Sequence, residues 1–84
     1  MGRCAVITGA ASGLGAAAAS RLAAEGARVV IADLDGQRAL AMARQIDPLG
    51  TRVRGLACDI ARDEDNERMV REAEAFFINQ RDIP

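Results

Sequence analysis

The stretch Cys4-Ala5-Val6-Ile7-Thr8-Gly9-Ala10-Ala11-Ser12-Gly13-Leu14-Gly15 decides the fold. Cys4 to Thr8 is a continuously apolar run with β-branched residues, which predicts a short strand buried on both faces, as in a parallel sheet. Glycines then let the backbone turn tightly and approach an anion. The alanine-rich stretch from Ala16 onward supplies a helix whose first N–H groups, and positive dipole end, face that anion. A strand that turns through glycines into a helix is a phosphate-binding device. It names a class of ligand without saying whether the chain performs chemistry on it.

Working outward, the same alternation repeats. Gly13 to Glu25 reads as a helix with Leu14, Ala18 and Leu22 on one stripe and Gly26 placed to end it. Arg28 to Ala32 contains Val29-Val30-Ile31, a second buried strand, broken by Asp33-Leu34-Asp35-Gly36. Gln37 to Ile46 is a second helix with Leu40, Ala43 and Ile46 inward, and Asp47-Pro48-Leu49-Gly50 is a turn. Thr51 to Cys58 is a third strand whose Arg52 and Arg54 suit a sheet edge. Asp63 to Asn79 is a third helix with Met69, Val70, Ala73, Phe76 and Phe77 on its apolar stripe. Its acidic start, Asp63, Glu64, Asp65 and Glu67, reads as a dipole-matched helix terminus with a solvated face. The order βαβαβα, with right-handed crossovers, predicts an α/β fold: a Rossmann-like half of a doubly wound parallel sheet. Its binding crevice lies at the carboxyl ends of the strands. Residues 1–84 read as one partial domain, with no internal repeat or linker.

Composition narrows the chemistry. The 84 residues carry a net charge of −1, which gives no electrostatic case for nucleic acid or an anionic membrane. Half are hydrophobic, but alanine supplies much of that and buries little area. All 11 basic residues are Arg, and there is no His, Tyr, Trp or Lys. The usual general base and commonest metal ligand are therefore missing, and no metal site is expected. Cys4 and Cys58 lie far apart without metal-ligand spacing and read as reduced thiols in strands. No segment matches a secretory leader or a membrane span, so a cytoplasmic protein is expected.

Three features sharpen the anion site. Gly13-Leu14-Gly15-Ala16-Ala17-Ala18 satisfies the dinucleotide fingerprint with alanine in the third glycine position. Asp33 closes the second strand twenty residues after Gly13, the spacing of a carboxylate that accepts hydrogen bonds from ribose hydroxyls. Asp59 ends the third strand, beside where an adenine ring would lie. Each has a plainer reading: Asp33 as a turn former, Asp59 as a loop or capping aspartate, and Ser12 as a helix N-cap, a role that can coexist with phosphate binding. Asp33 also opposes a 2′-phosphate, by about 4 kcal/mol for a charge pair at 4 Å and an effective dielectric of 20 before screening. Neither the loop from Ala10 to Ser12 nor Leu34 to Gln37 offers an Arg to receive that phosphate; Arg38, one turn into the second helix, is the nearest. NAD(H) is therefore expected over NADP(H).

These residues resemble the short-chain dehydrogenase/reductase family. The resemblance rests on the Thr-Gly-x-x-x-Gly-x-Gly pattern at Thr8, Gly9, Gly13 and Gly15, on Asp33 after the second strand, and on the pair Asp59-Ile60, and it runs over roughly residues 4–77. It implies a Rossmann fold and NAD(P)-dependent interconversion of alcohols and ketones. By motif position, Ser12, Gly13, Leu14 and Gly15 would hold the pyrophosphate and ribose, Asp33 the adenosine ribose, and Asp59 with Ile60 the adenine. Gly9 and Leu34 complete the set of candidate cofactor residues.

The departures from the family pattern matter equally. The fourth-strand Asn-Ala-Gly motif, the catalytic Ser and the Tyr-x-x-x-Lys pair are all absent from these residues, so no catalytic residue is assigned. The expectation is an NAD-binding N-terminal part of a dehydrogenase, inactive by itself. A non-enzymatic dinucleotide-binding or regulatory module is the alternative, and a methyltransferase-like adenosine site is a third reading. The first strand should form an exposed apolar edge, open to self-association or to pairing with a catalytic half.

Overall fold

A computed structural model describes residues 3–9 and 13–81, with side chains through residue 78. The elements alternate as expected: β1 (Cys4–Thr8), α1 (Gly13–Ala24), β2 (Arg28–Asp33), α2 (Gly36–Ile46), β3 (Val53–Ala57) and α3 (Asp63–Arg81). All three strands are parallel in the order β1-β2-β3, with Cys4 opposite Arg28 and Val29 opposite Val53. This is the expected α/β half-sheet.

β2 lies between β1 and β3 and is the most buried of the three strands, with only its end residues Arg28 and Asp33 partly exposed. Val29, Val30 and Ile31 are fully buried, and they point alternately to two cores. On one face Val29 and Ile31 pack with Val53 against Ala19 and Ala23 of α1 and Ala39 and Ala43 of α2. On the other face Val30, Ala32, Leu56 and Cys58 meet Ala73 and Phe76 of α3. The Arg54 guanidinium caps that second core, lying 4.9 Å over the Phe76 ring.

α2 lies unusually close to β3. A Cβ on Gly55 would collide with the backbone carbonyl of Ala39, and one on Gly36 would come within 2.7 Å of the Ala57 Cβ. Glycine on the strand and alanine on the helix thus let the two backbones nearly touch. Asp35 caps α2 by accepting from the Gln37 and Arg38 N–H groups. Asp47 ties its far end to β3 by accepting from the Arg52 and Val53 N–H groups at 2.6 and 3.1 Å.

Several face assignments need correction. β1 is not buried on both faces: Cys4, Val6 and Thr8 are exposed, because β1 pairs only with β2 and the α3-side core draws on β2 and β3. In α1 the inward face is Ala19 and Ala23, while Leu14 is 88% exposed and Ala18 also faces solvent. Apolar residues all round α1 leave the 3.6-residue period unable to choose a face, and the smallest side chains give the closest approach. In α2 the Ala39–Ala43 face meets Gly55, which turns Leu40 outward by one residue step. Val70 of α3 is likewise half out, since Ala73 and Phe76 define the buried stripe.

Candidate functional site

The carboxyl ends of the three strands converge through backbone hydrogen bonds. Gly9, one residue past β1, donates its N–H to the Ala32 carbonyl at 2.8 Å, and the Cys58 N–H donates to the Asp33 carbonyl at 2.9 Å. Gly9 has φ +65°, a conformation that disfavours any side chain, which is why the chain leaves β1 through glycine. These bonds place Gly9, Asp33, Leu34, Cys58, Asp59 and Ile60 around one cleft of about 220 Å³. Five of these six are candidate cofactor residues. Gly13, Leu14 and Gly15 form the first turn of α1, which follows the β1 end; Gly13 and Leu14 are exposed and Gly15 is half-buried. Ser12 lies outside the described residues.

Both aspartates also carry out their plainer roles. Asp33 Oδ1 accepts the Asp35 N–H at 3.0 Å and so shapes the turn into α2. Asp59 Oδ1 accepts the Ala61 N–H at 3.0 Å, which shapes the loop into α3. Leu34 and Ile60 stand at the cleft with 73% and 62% of their surface exposed. Cys58 is buried; burial pushes its thiol up, the Asp65 and Asp59 charges add to that, and Arg68 opposes it. It is therefore an uncharged thiol at neutral pH. Cys4 is exposed, and both cysteines are free.

Three residues on the first turns of α3, Asp65, Asn66 and Arg68, bond this loop without having stood out in the sequence. Asp65 reads as part of a solvated acidic helix start, yet it is half-buried, with Oδ2 accepting the Asp59 N–H at 2.9 Å. A partner six residues back leaves no periodic signal in a sequence. Among the described residues there is no metal-binding group of three ligands, and no helix is long and apolar enough to cross a membrane.

A parallel sheet with helices on both faces, a glycine exit from β1 and a cleft across the strand ends together define a Rossmann-type nucleotide-binding α/β protein. The chain belongs to the short chain dehydrogenase family, whose model matches residues 3–80. These are oxidoreductases that use nicotinamide dinucleotides on a Rossmann fold. The chain is similar to D-threitol dehydrogenase of Mycolicibacterium smegmatis, at 48% identity over 60 residues, covering 71% of this chain and 23% of that protein. It is also similar to human dehydrogenase/reductase SDR family member 2, mitochondrial, at 39% over 71 residues, covering 84% and 25%. Among solved structures it superposes on a 3-ketoacyl-(acyl-carrier-protein) reductase from Brucella melitensis complexed with NADH. The TM-score there is 0.81 at 39% identity, over 89% of this chain and 30% of that one. The chain thus spans about a quarter of the length of the curated relatives it matches.

Proposed function

We propose that residues 1–84 form one partial dinucleotide-binding domain, the NAD(H)-binding part of a short-chain dehydrogenase that interconverts an alcohol and a ketone. The observation that carries this reading is the convergence of Gly9, Asp33, Leu34, Asp59 and Ile60 on one cleft at the strand ends. In this assignment Asp33 accepts from the adenosine ribose hydroxyls. Asp59 and the apolar Leu34 and Ile60 flank the adenine. Ser12, Gly13, Leu14 and Gly15 present the α1 N-terminus to the pyrophosphate. The cleft is smaller than the roughly 300–1,000 Å³ of a complete small-molecule pocket, which suits one end of a dinucleotide. When bound, the nicotinamide would supply the hydride chemistry. The Tyr-x-x-x-Lys pair to which the family resemblance assigns proton transfer is absent, since the sequence has no Tyr and no Lys.

The preference for NAD rests on charge. The described residues lining the cleft include two carboxylates and no cation. A 2′-phosphate beside Asp33 meets repulsion of up to about 4 kcal/mol, lowered by screening. The test is calorimetric titration of NAD and NADP into the chain and into Asp33→Asn. Asparagine removes the charge but keeps an oxygen to accept the Asp35 N–H. The parent should favour NAD by tenfold or more, about 1.4 kcal/mol, and the variant should lose most of that preference. Equal affinities in the parent, or an unchanged ratio in the variant, contradict the assignment.

The β1 edge is the proposed contact for self-association or for pairing with a catalytic half. Among the described residues β1 is paired with a strand on one side alone, and its Val6 is 41% exposed, which supports this reading. Sedimentation of the parent and of Val6→Lys tests it, with a monomeric parent at high concentration as the contrary result.

A further inference from the structure

The wall of the cleft formed by Cys58, Asp59 and Ile60 belongs to neither a strand nor a helix. Such a segment keeps its shape only where its polar groups find fixed partners. Here the partners are side chains of α3. Arg68 Nη2 donates to the Ala57 carbonyl at 2.7 Å. Asn66 Oδ1 accepts from the Cys58 thiol at 3.7 Å, and its Nδ2 donates to the Ile60 carbonyl at 2.9 Å. Asp65 Oδ2 accepts the Asp59 N–H at 2.9 Å. Four consecutive residues are thus each tied to the same helix. The Asn66 amide has one productive orientation, because flipping it would set its oxygen against the Ile60 carbonyl.

We infer that Asp65 and Asn66 are positioning residues for the adenosine end of the site. They fix the backbone of Asp59 and Ile60, and through it the places of the Asp59 carboxylate and the Ile60 side chain. The inference rests on the cofactor role proposed above for the cleft. Neither residue is among those lining the cleft, so each acts through the loop.

The test uses the 84-residue chain on a Cys4→Ser background, with Asp65→Ala, Asp65→Asn and Asn66→Ala. The first readout is the dissociation constant for AMP, with nicotinamide mononucleotide as the ligand that lacks adenine. Both alanine variants should bind AMP about fivefold more weakly, equivalent to one lost hydrogen bond of about 1 kcal/mol, while Asp65→Asn stays within about twofold because its amide oxygen accepts the same N–H. A purely structural role would not give rescue by asparagine alongside an unchanged affinity for nicotinamide mononucleotide.

The second readout needs no cofactor. Asn66→Ala changes no charge and should raise the iodoacetamide alkylation rate of Cys58, which is 3% exposed, by tenfold or more at fixed pH. An unchanged Cys58 rate overturns the inference, as does unchanged AMP affinity in both alanine variants of a chain that binds AMP. A parent that binds neither AMP nor NAD overturns the cofactor proposal, and this inference with it, whatever the thiol rate.

Discussion

Gly55→Ala tests the closest packing in the fold. Gly55 sits in the middle of β3 opposite Ile31, on the face that meets α2. An added Cβ would lie 2.8 Å from the Leu40 nitrogen and closer still to the Ala39 carbonyl, inside the 3.0 Å that real Cβ atoms essentially never cross. The three nearest atoms are all helix backbone, and Ala39 is fully buried, so relief cannot come from a side chain swinging aside there. Relief requires α2 to retreat by on the order of 1 Å, which forfeits van der Waals contact at Ala39, Ala43 and Val53 together. Overpacking of this kind costs about 1–3 kcal/mol. For a chain of this size, total stability is about 4–13 kcal/mol, and each kcal/mol moves Tm by about 4–8 °C. A fall of roughly 5–20 °C is expected by circular dichroism. Gly36→Ala, whose new Cβ meets a side-chain methyl at the exposed end of β3, should fall by less. A Gly55→Ala Tm within 2 °C of the parent would refute the close approach of α2 and β3.

Three further outcomes follow from the core and the caps. Ile31→Ala removes the largest fully buried side chain among the described residues and should cost about 2–5 kcal/mol, read as a lower urea midpoint at constant slope, because it leaves a cavity in the core shared by α1, α2 and the sheet. Asp35→Ala removes the α2 N-cap and should cost about 1 kcal/mol by the same assay. Asp47 gives a pH signature. Burial pushes its carboxyl up, but the N–H groups of Arg52, Val53, Leu49 and Thr51 outweigh that and hold it below the ordinary value of 3.8. With the folded value the lower one, its stabilisation is complete above the unfolded value and is lost as pH falls through the folded one. Urea unfolding between pH 2 and 7 should therefore show a loss of stability below about pH 4 that is smaller in Asp47→Asn.

The element order was legible because the first two strands are β-branched runs closed by a glycine or an aspartate, while the third, Val53-Arg54-Gly55-Leu56-Ala57, was legible from its place between the Asp47–Gly50 turn and the acidic helix start. Gly9 ends β1, and Asp33-Leu34-Asp35-Gly36 ends β2 with its first aspartate inside the strand. Asp33 and Asp59 could be paired from sequence because a parallel βαβ unit delivers every strand end to the same side of the sheet. The helix faces were not legible in α1, where alanine on all sides gives the period nothing to select. The packing of α2 was hidden in Gly55, which reads as a weak point in a strand until a helix backbone is found resting on it. Asp65 was hidden for a different reason. An acidic helix start satisfies the dipole whether or not one of its carboxylates also reaches back to Asp59.

In the function proposed above, the cleft at the strand ends holds the adenosine half of NAD. Amide chemical-shift mapping of the ¹⁵N-labelled chain during NAD titration tests it most directly. Saturable shifts concentrated at Gly9, Gly13, Gly15, Asp33, Leu34, Asp59 and Ile60 are expected. Shifts confined to other surfaces, or none at millimolar NAD in a folded chain, would contradict it.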